Sequence, residues 1–227
     1  MTNRILVCSH LDSNFLEEAT KFNMKAGSTL LFSLIHNGHF SIANIGDSVG
    51  YVLKDNGYLM KKTIDHTPDR TDEYTRLAEL GSLITTKNGV KRVEGELTVT
   101  RAIGDLDHKN FIISEPEVTT AAIEEDDDLL ILSSDGILRV YDEQTFALKL
   151  HQLRQIQRAQ GLDLSFISRC LLDEACQNFY CRDNVSLVII DLAKHLVEYR
   201  TSQQASIMPD RKLHQQFSMP FMPPVNY

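Results

Sequence analysis

The chain has little that would place it in a membrane, on nucleic acid or in a secreted disulfide scaffold. Its 227 residues include no tryptophan and only four cysteines, and 31 acidic side chains outnumber 23 lysines and arginines to give a formal net charge of -8. That balance leaves no basic surface for nucleic acid. No apolar run approaches the roughly 18 residues of a membrane span, and the apolar run before His10 is too short for a signal-peptide core, so we expect neither.

The cysteines are too few and too scattered for a zinc site or a disulfide framework. Cys8, Cys170, Cys176 and Cys181 show no C-x-x-C pairing, so we expect reduced thiols and a cytoplasmic or nuclear location. We separately expect a monomer. Several catalytic signatures are also missing, namely the G-x-S-x-G nucleophile, the P-loop, H-E-x-x-H and the EF-hand loop. These absences exclude common hydrolase and nucleotide-binding classes.

Strand signals dominate the first third of the chain. Apolar, partly β-branched runs separated by Asn37-Gly38 and by an Asp-Asn-Gly turn predict an antiparallel meander with strands at 29–36, 40–45, 49–54 and 58–61. Shorter strands are predicted at 82–85, 90–93 and 118–122. The run 129–133 is nearly all apolar, which predicts burial on both faces, and 185–192 is predicted as the last strand.

Apolar residues at helical spacing predict helices between and after these strands. The first spans 12–26 with Ser13 as its N-cap, and the second spans 71–80 and ends at Gly81. Asp142 is expected to cap a third helix, and a fourth covers 164–176; their buried stripes are Phe146, Leu150, Leu153 and Ile156, then Leu164, Ile167, Leu171 and Ala175. Hairpins first and helices later indicate an α+β protein with helices covering antiparallel sheets.

One domain over residues 1–194 is expected, followed by a polar tail over 195–227. Gln, Ser, Met and Pro dominate the composition near the carboxyl end, and from about Thr201 we expect little fixed structure. The tail could bind a partner, but its composition favours a plain disordered end.

Four aspartates lie at turns beside apolar runs, namely Asp47, Asp105, Asp135 and Asp183. Acids at strand ends are how a β-rich scaffold gathers hard oxygen ligands for Mg²⁺ or Mn²⁺. Each residue taken alone is explained equally well as a turn aspartate that accepts N–H groups of its own loop. Asp135 is the best single candidate, because it ends the most apolar strand and precedes a glycine.

Three other segments carry weaker signals. The stretch from Arg92 to Asp105 is an irregular loop of the length that is usually functional or disordered. His66 could belong to a metal pair or act as a general base, although an ordinary turn histidine is the simpler interpretation. The acidic run Glu124–Asp128 is most simply a solvated loop; folding it into a calcium cage would need a glycine that it lacks.

A string of short motifs resembles the metal-dependent serine/threonine protein phosphatases of the 2C type. These motifs occur in family order across roughly residues 12–192, and together they are far more specific than any one alone: Ala26-Gly-Ser-Thr29, Ala43-Asn-Ile-Gly-Asp-Ser48, Asp65-His-Thr-Pro68, Arg76 to Gly81, Arg92-Val-Glu-Gly95, Thr100-Arg-Ala-Ile-Gly-Asp105, Ser114-Glu-Pro-Glu-Val118, Leu130-Ile-Leu-Ser-Ser-Asp-Gly136 and Arg182-Asp-Asn-Val185.

The resemblance implies two packed, mostly antiparallel β-sheets flanked by helices. It also implies a binuclear Mg²⁺ or Mn²⁺ centre that hydrolyses phosphoserine and phosphothreonine in phosphoprotein substrates without a covalent intermediate. Carried over by motif, Asp135 and Asp183 become ligands of the two metal ions. Asp47, with Thr29 nearby, matches a weaker third metal position, and the segment after Gly81 contributes to a flap beside the cleft.

The chain also departs from the family pattern. Family members carry, before the Gly-Ser-Thr motif, an Arg with an acidic pair and an Asp-Gly-His-Gly-Gly turn, which supply the phosphate-binding guanidinium and the aspartate that bridges both metals. Neither occurs here, so we expect an N-terminally truncated domain. Arg139 stands where the family carries an acid, and it would oppose metal binding unless Asp142 or Glu143 neutralised it.

The sequence therefore predicts a protein serine/threonine phosphatase whose catalytic residues stay unassigned and whose activity in this form is weak or absent. The alternative is a non-catalytic pseudophosphatase that binds a phosphoprotein or scaffolds a partner. Arg139 and the missing motifs favour that alternative, and the retained Asp47, Asp135 and Asp183 favour the enzyme.

Overall fold

Two antiparallel sheets form the centre of the fold in the computed structural model, which describes residues 2–177 and 183–207. The strands are β1 (Gly27–Ser28), β2 (Leu30–His36), β3 (His39–Ile45), β4 (Val49–Lys54), β5 (Leu59–Lys61), β6 (Ile84–Lys87), β7 (Val90–Val93), β8 (Ile103–Gly104), β9 (Glu117–Ala122), β10 (Asp127–Ser133) and β11 (Leu187–Asp191). The α-helices are α1 (Thr2–Phe22), α2 (Thr71–Glu79), α3 (Glu143–Gln160), α4 (Ser165–Gln177) and α5 (Leu192–Ile207).

The larger sheet has the strand order β11-β10-β4-β5, and the second has the order β2-β3-β9. Every residue of β10 is buried. On one face of the larger sheet, Tyr51 and Ile131 pack with Phe146 and Leu150 of α3. The opposite face packs against the second sheet through a cluster that includes Phe40, Ile42, Val52, Leu130 and Leu132. The predicted α+β sandwich with flanking helices is confirmed.

The first hairpin forms where the Asn-Gly dipeptide predicts it. Strands β2 and β3 pair in antiparallel register from Leu30 opposite Ile45 to His36 opposite His39. Asn37 and Gly38 both have positive φ, at 50° and 69°, which is the backbone conformation of a two-residue type I′ turn. A side chain at Gly38 would also collide with the ring of Tyr199 on α5.

The first helix is longer than its sequence pattern predicts. It begins at Thr2 rather than near Asp12, and Ser13 is not an N-cap, because its hydroxyl donates to the carbonyl oxygen of Ser9 one turn earlier (2.8 Å). The buried side of α1 is made by Cys8, Asp12 and Ala19. Small and polar residues leave no apolar stripe, so the pattern missed the first ten residues of the helix.

The third helix has its predicted cap, but one residue of its predicted buried stripe is exposed. The Asp142 carboxylate accepts the N–H of Thr145 at 2.7 Å, and Phe146, Leu150 and Leu153 are buried. Ile156 is 40% exposed instead of buried. The buried position is Arg154, which forms ion pairs with Asp128 (2.8 Å) and Asp191 (2.7 Å).

The fourth helix buries Ile167, Leu171 and Ala175 as predicted, while Leu164 lies before its first residue. The predicted polar tail is partly wrong. Residues 192–207 form α5, and its Leu192 and Leu196 complete the apolar cluster between the sheets. The remainder of the predicted tail, 208–227, lies outside the described residues, as does Cys181. Among the helices that are described, none is both long and apolar enough to cross a membrane.

Candidate active site

Asp135 and Asp183 meet because hydrogen bonding between β10 and β11 continues beyond the strands. The Ser134 N–H donates to the carbonyl oxygen of Ser186 at 3.1 Å, and the Ser186 N–H donates to the Ser134 hydroxyl at 3.0 Å. Asp135 is the next residue after Ser134, and Asp183 precedes the same pairing on the other chain segment. Both carboxylates therefore lie at one end of the larger sheet.

Gly136 makes this close approach possible. A Cβ atom at this position would fall well inside van der Waals contact of the Asn184 carbonyl oxygen, and it would lie 3.2 Å from a methyl of Val185. The glycine after the aspartate is thus required by the neighbouring turn, because both contacts crowd the space that a side chain needs.

We expect Gly136→Ala to lower the free energy of unfolding by about 2 kcal/mol, because the methyl group forces the two turns apart. Urea denaturation would measure the loss. Gly89→Ala is the matched control, since Gly89 has φ +80° but nothing within 4 Å of the position that an added methyl group would take; it carries backbone strain of about 1 kcal/mol without a collision. Equal losses in the two variants would contradict the steric role of Gly136.

Asp47 lies in the turn between β3 and β4 and is electrostatically coupled to the same end of the sheet. Burial raises the pKa of Asp47 to about 6, with a further contribution from the negative charge of Asp135 and an opposing one from Arg139. The Thr29 hydroxyl is 3.0 Å from the hydroxyl of Ser48, the residue after Asp47. The four predicted metal residues thus occupy one region.

His66 is hydrogen-bonded to the turn that carries Asp47. The imidazole of His66 is fully buried, with Nδ1 accepting the Gly46 N–H at 3.1 Å and Nε2 lying 3.3 Å from a carboxylate oxygen of Glu117. Burial, with the nearby charge of Arg101, lowers the pKa of His66. His66 is therefore a positioning residue for the turn rather than a solvent-exposed turn histidine.

Arg139 contacts both candidate metal ligands. Its Nη2 atom is 3.5 Å from Oδ2 of Asp135, and its Nε atom is 3.9 Å from Oδ2 of Asp183. The condition that Asp142 or Glu143 neutralises this guanidinium is not met: Asp142 caps α3, and Glu143 accepts the Tyr51 hydroxyl at 2.8 Å. Asp135 and Asp183 thus share one guanidinium.

Asp105 does not join this group. Its carboxylate lies directly against Gly27, and its backbone is left-handed with φ 54°. Burial raises the pKa of Asp105, and the charges that act on it are those of His108, Lys109 and Asp12. The Gly104 N–H donates to Asp12 of α1 at 2.7 Å, so this turn anchors α1.

The irregular loop from Arg92 to Asp105 is ordered by a buried carboxylate that the sequence pattern did not single out. Glu73 of α2 accepts the Thr100 hydroxyl at 2.6 Å, and it is paired with Arg76 (2.9 Å) and Arg101 (2.5 Å). Since Glu73 stands beside other acids on a mainly polar helix, nothing in its local sequence distinguishes it.

The acidic run is structural and only partly solvated. Oxygen atoms of Glu124, Asp126 and Asp127 lie within 4.8 Å of one another, which is a spacing suited to a cation. The Lys54 ammonium already occupies the centre, at 2.5, 2.7 and 2.8 Å from the three carboxylates. Asp128, which is also buried, pairs with Arg154.

As arranged, Asp47, Asp135 and Asp183 do not fit a pair of adjacent metal ions. Within residues 2–177 and 183–207, the acidic group that converges to within 4.8 Å is the one around Lys54, not these three. Two cations about 4 Å apart need a bridging anion. Here the Arg139 guanidinium contacts two of the three carboxylates, so the three do not form the ligand set of a binuclear centre.

Comparisons of this chain with known proteins agree on one family. The family model described as Protein phosphatase 2C matches residues 3–185. Probable protein phosphatase 2C 2 of Arabidopsis thaliana is 42% identical over 126 residues, covering 56% of this chain and 32% of the relative. Probable protein phosphatase 2C 7 of Oryza sativa subsp. japonica is 31% identical over 197 residues, covering 86% and 49%. The chain spans half or less of these relatives.

Solved structures share the fold. A sex-determining protein of C. elegans has a TM-score of 0.70 at 28% identity, over 85% of this chain and 47% of that one. A serine-threonine phosphatase 2C from Toxoplasma gondii has a TM-score of 0.68 over 81% of this chain and 64% of that one. At 20% identity, the second likeness concerns the fold alone.

Proposed function

Because the chain belongs to the protein phosphatase 2C family, we propose that it takes part in hydrolysis of phosphoserine and phosphothreonine in proteins. The observation that carries the proposal is the position of Asp47, Asp135 and Asp183 at one end of two packed sheets. Phosphoproteins are the partners this activity implies, and we expect a monomer in the cytoplasm or nucleus.

Mg²⁺ or Mn²⁺ is the cofactor class we propose, since carboxylate and hydroxyl oxygens are the ligands these hard cations prefer. Asp135 and Asp183 would bind one ion, and Asp47 with Thr29 would form the weaker additional position. The contact of Arg139 with both principal ligands makes this binding weak. Weak metal binding in turn predicts weak catalysis by the 227-residue chain.

We expect slow hydrolysis of a phosphothreonine peptide that depends on added Mn²⁺ and falls at least tenfold in Asp135→Asn, because the amide is a poorer cation ligand. Phosphate release with and without a chelator measures it. Asp105→Asn is the matched control, since Asp105 lies apart from the cluster. A rate that survives either the chelator or Asp135→Asn would contradict the proposal.

The second candidate is a non-catalytic phosphoprotein-binding module, and the contact of the exposed Arg139 guanidinium with Asp135 and Asp183 favours it. The two candidates differ in one measurement. Binding of a phosphopeptide by fluorescence anisotropy, with no phosphate release at any Mn²⁺ concentration, would support the binding module over the enzyme.

A further inference from the structure

Arg139 is held near the candidate ligands by the backbone. Asp135 to Arg139 form a single short 3₁₀ helix, so the backbone keeps the arginine little more than one helical turn from Asp135. Its guanidinium contacts Asp135 within the helix and Asp183 from the adjacent turn. One cation is therefore shared between carboxylates from two segments of the chain.

Negative charge collects at this end of the sheet. Asp47, Asp135 and Asp183 carry three negative charges when ionised, and within residues 2–177 and 183–207 the guanidinium of Arg139 contacts two of them. Moving three carboxylates together is unfavourable without a counter-cation. The arginine supplies part of the charge that a metal ion would otherwise supply.

The arginine is also able to leave. Its side chain is 63% exposed, and both contacts are long for ion pairs, at 3.5 and 3.9 Å. Exposed pairs of this kind are individually weak. A divalent cation that approaches Asp135 and Asp183 must displace or tolerate the guanidinium, but it does not have to break a buried bond.

We propose that Arg139 is an internal counter-cation that occupies the space between Asp135 and Asp183 and competes there with a divalent metal ion. Arg139 thereby sets the metal affinity of this end of the sheet. The inference rests on the proposed function only for the identity of the ion. The competition between the guanidinium and a cation for the two carboxylates depends on charge and contact, and it does not require catalysis.

Arg139→Gln tests this, because glutamine removes the charge while keeping a polar, flexible side chain at an exposed position. We expect the variant to bind Mn²⁺ about tenfold more tightly than the parent chain, as follows from removing one positive charge about 5 Å from a divalent ion in a largely aqueous setting. Isothermal titration calorimetry with MnCl₂ and the full 227-residue chain measures the dissociation constants.

Two controls separate this site from general charge effects. Arg200→Gln removes an exposed arginine paired with Glu125 at 3.0 Å, away from the cluster, and should leave Mn²⁺ affinity within twofold of the parent. The double variant Arg139→Gln with Asp135→Asn should lose the gain. An unchanged or weaker affinity in Arg139→Gln, a gain that persists without Asp135, or no measurable binding by any variant would each overturn the proposal. Because no phosphopeptide is present, failure of phosphatase activity does not affect the result.

Discussion

Glu73→Gln is expected to lower the free energy of unfolding by about 3 kcal/mol. The carboxylate is almost completely buried and accepts the Thr100 hydroxyl while pairing with Arg76 and Arg101. Burial alone would raise the pKa of Glu73, but the hydrogen bonds from Arg101, Thr100 and Arg76 outweigh it and lower the pKa from 4.5 to about 2. Each pKa unit corresponds to about 1.4 kcal/mol. Urea denaturation at pH 7 measures the loss.

The stability difference between the parent chain and Glu73→Gln is expected to depend on pH. Because its pKa is lower in the folded state, the charge of Glu73 stabilises the fold above pH 4.5, and the effect disappears as the pH falls towards 2. The parent and Glu73→Gln should therefore converge in stability in acid. Glu79→Gln, on the exposed side of the same helix, is the matched control and should change stability by less than about 0.5 kcal/mol. A pH-independent gap would contradict the ionic explanation.

The features that sequence patterns predicted are those decided locally. Asn37-Gly38 fixes a two-residue turn because both residues adopt positive φ at small cost. Leu129 to Leu132 of β10 are buried because these four consecutive residues are apolar without alternation. The Asp142 cap likewise needs only a carboxylate three residues before Thr145. Such signals act within a few residues, so one segment contains all the information.

The features that patterns missed depend on contacts between distant segments. Arg154 is buried on α3 only because Asp128 and Asp191 come from two strands of the sheet beneath it. Glu73 is buried only because Thr100 and Arg101 fold over α2. A charged residue in a helical sequence gives the same local signal whether its partner is water or a buried ion.

In the candidate site, too, the sequence motifs indicated some features and the contacts between distant segments decided others. The family motifs pointed to Asp47, Asp135, Asp183 and Thr29. They did not predict that Arg139 contacts Asp135 and Asp183, because the acids that follow Arg139 in the sequence are Asp142 and Glu143. Those two side chains serve α3 and Tyr51 instead. The helical turn after Asp135 directs Arg139 back towards the preceding aspartate, and only the folded chain adds Asp183.

Lys54→Met is expected to lower the free energy of unfolding by about 4 kcal/mol, because it leaves three carboxylates converging without their cation. The ammonium lies within 2.8 Å of Glu124, Asp126 and Asp127, and both Lys54 and Asp127 are nearly inaccessible to solvent. Burial by itself would lower the pKa of Lys54, but hydrogen bonds to the three acids raise it, so the charge persists at neutral pH. Thermal and urea denaturation would measure the loss.

Two further variants assign that loss to the buried charge rather than to the lysine stem. Lys61 lies on β5, the strand that pairs with β4 of Lys54. Lys61→Met removes its ion pair with Asp65 near the surface, and such a pair contributes at most about 1 kcal/mol. Adding Asp127→Asn to Lys54→Met removes the buried repulsion, because an amide at that position can still accept the Glu124 N–H that Asp127 accepts at 2.9 Å. The double variant should therefore be more stable than Lys54→Met alone. If it is less stable, Lys54 acts through packing and not through its charge, and the acidic run would then need another explanation for its burial.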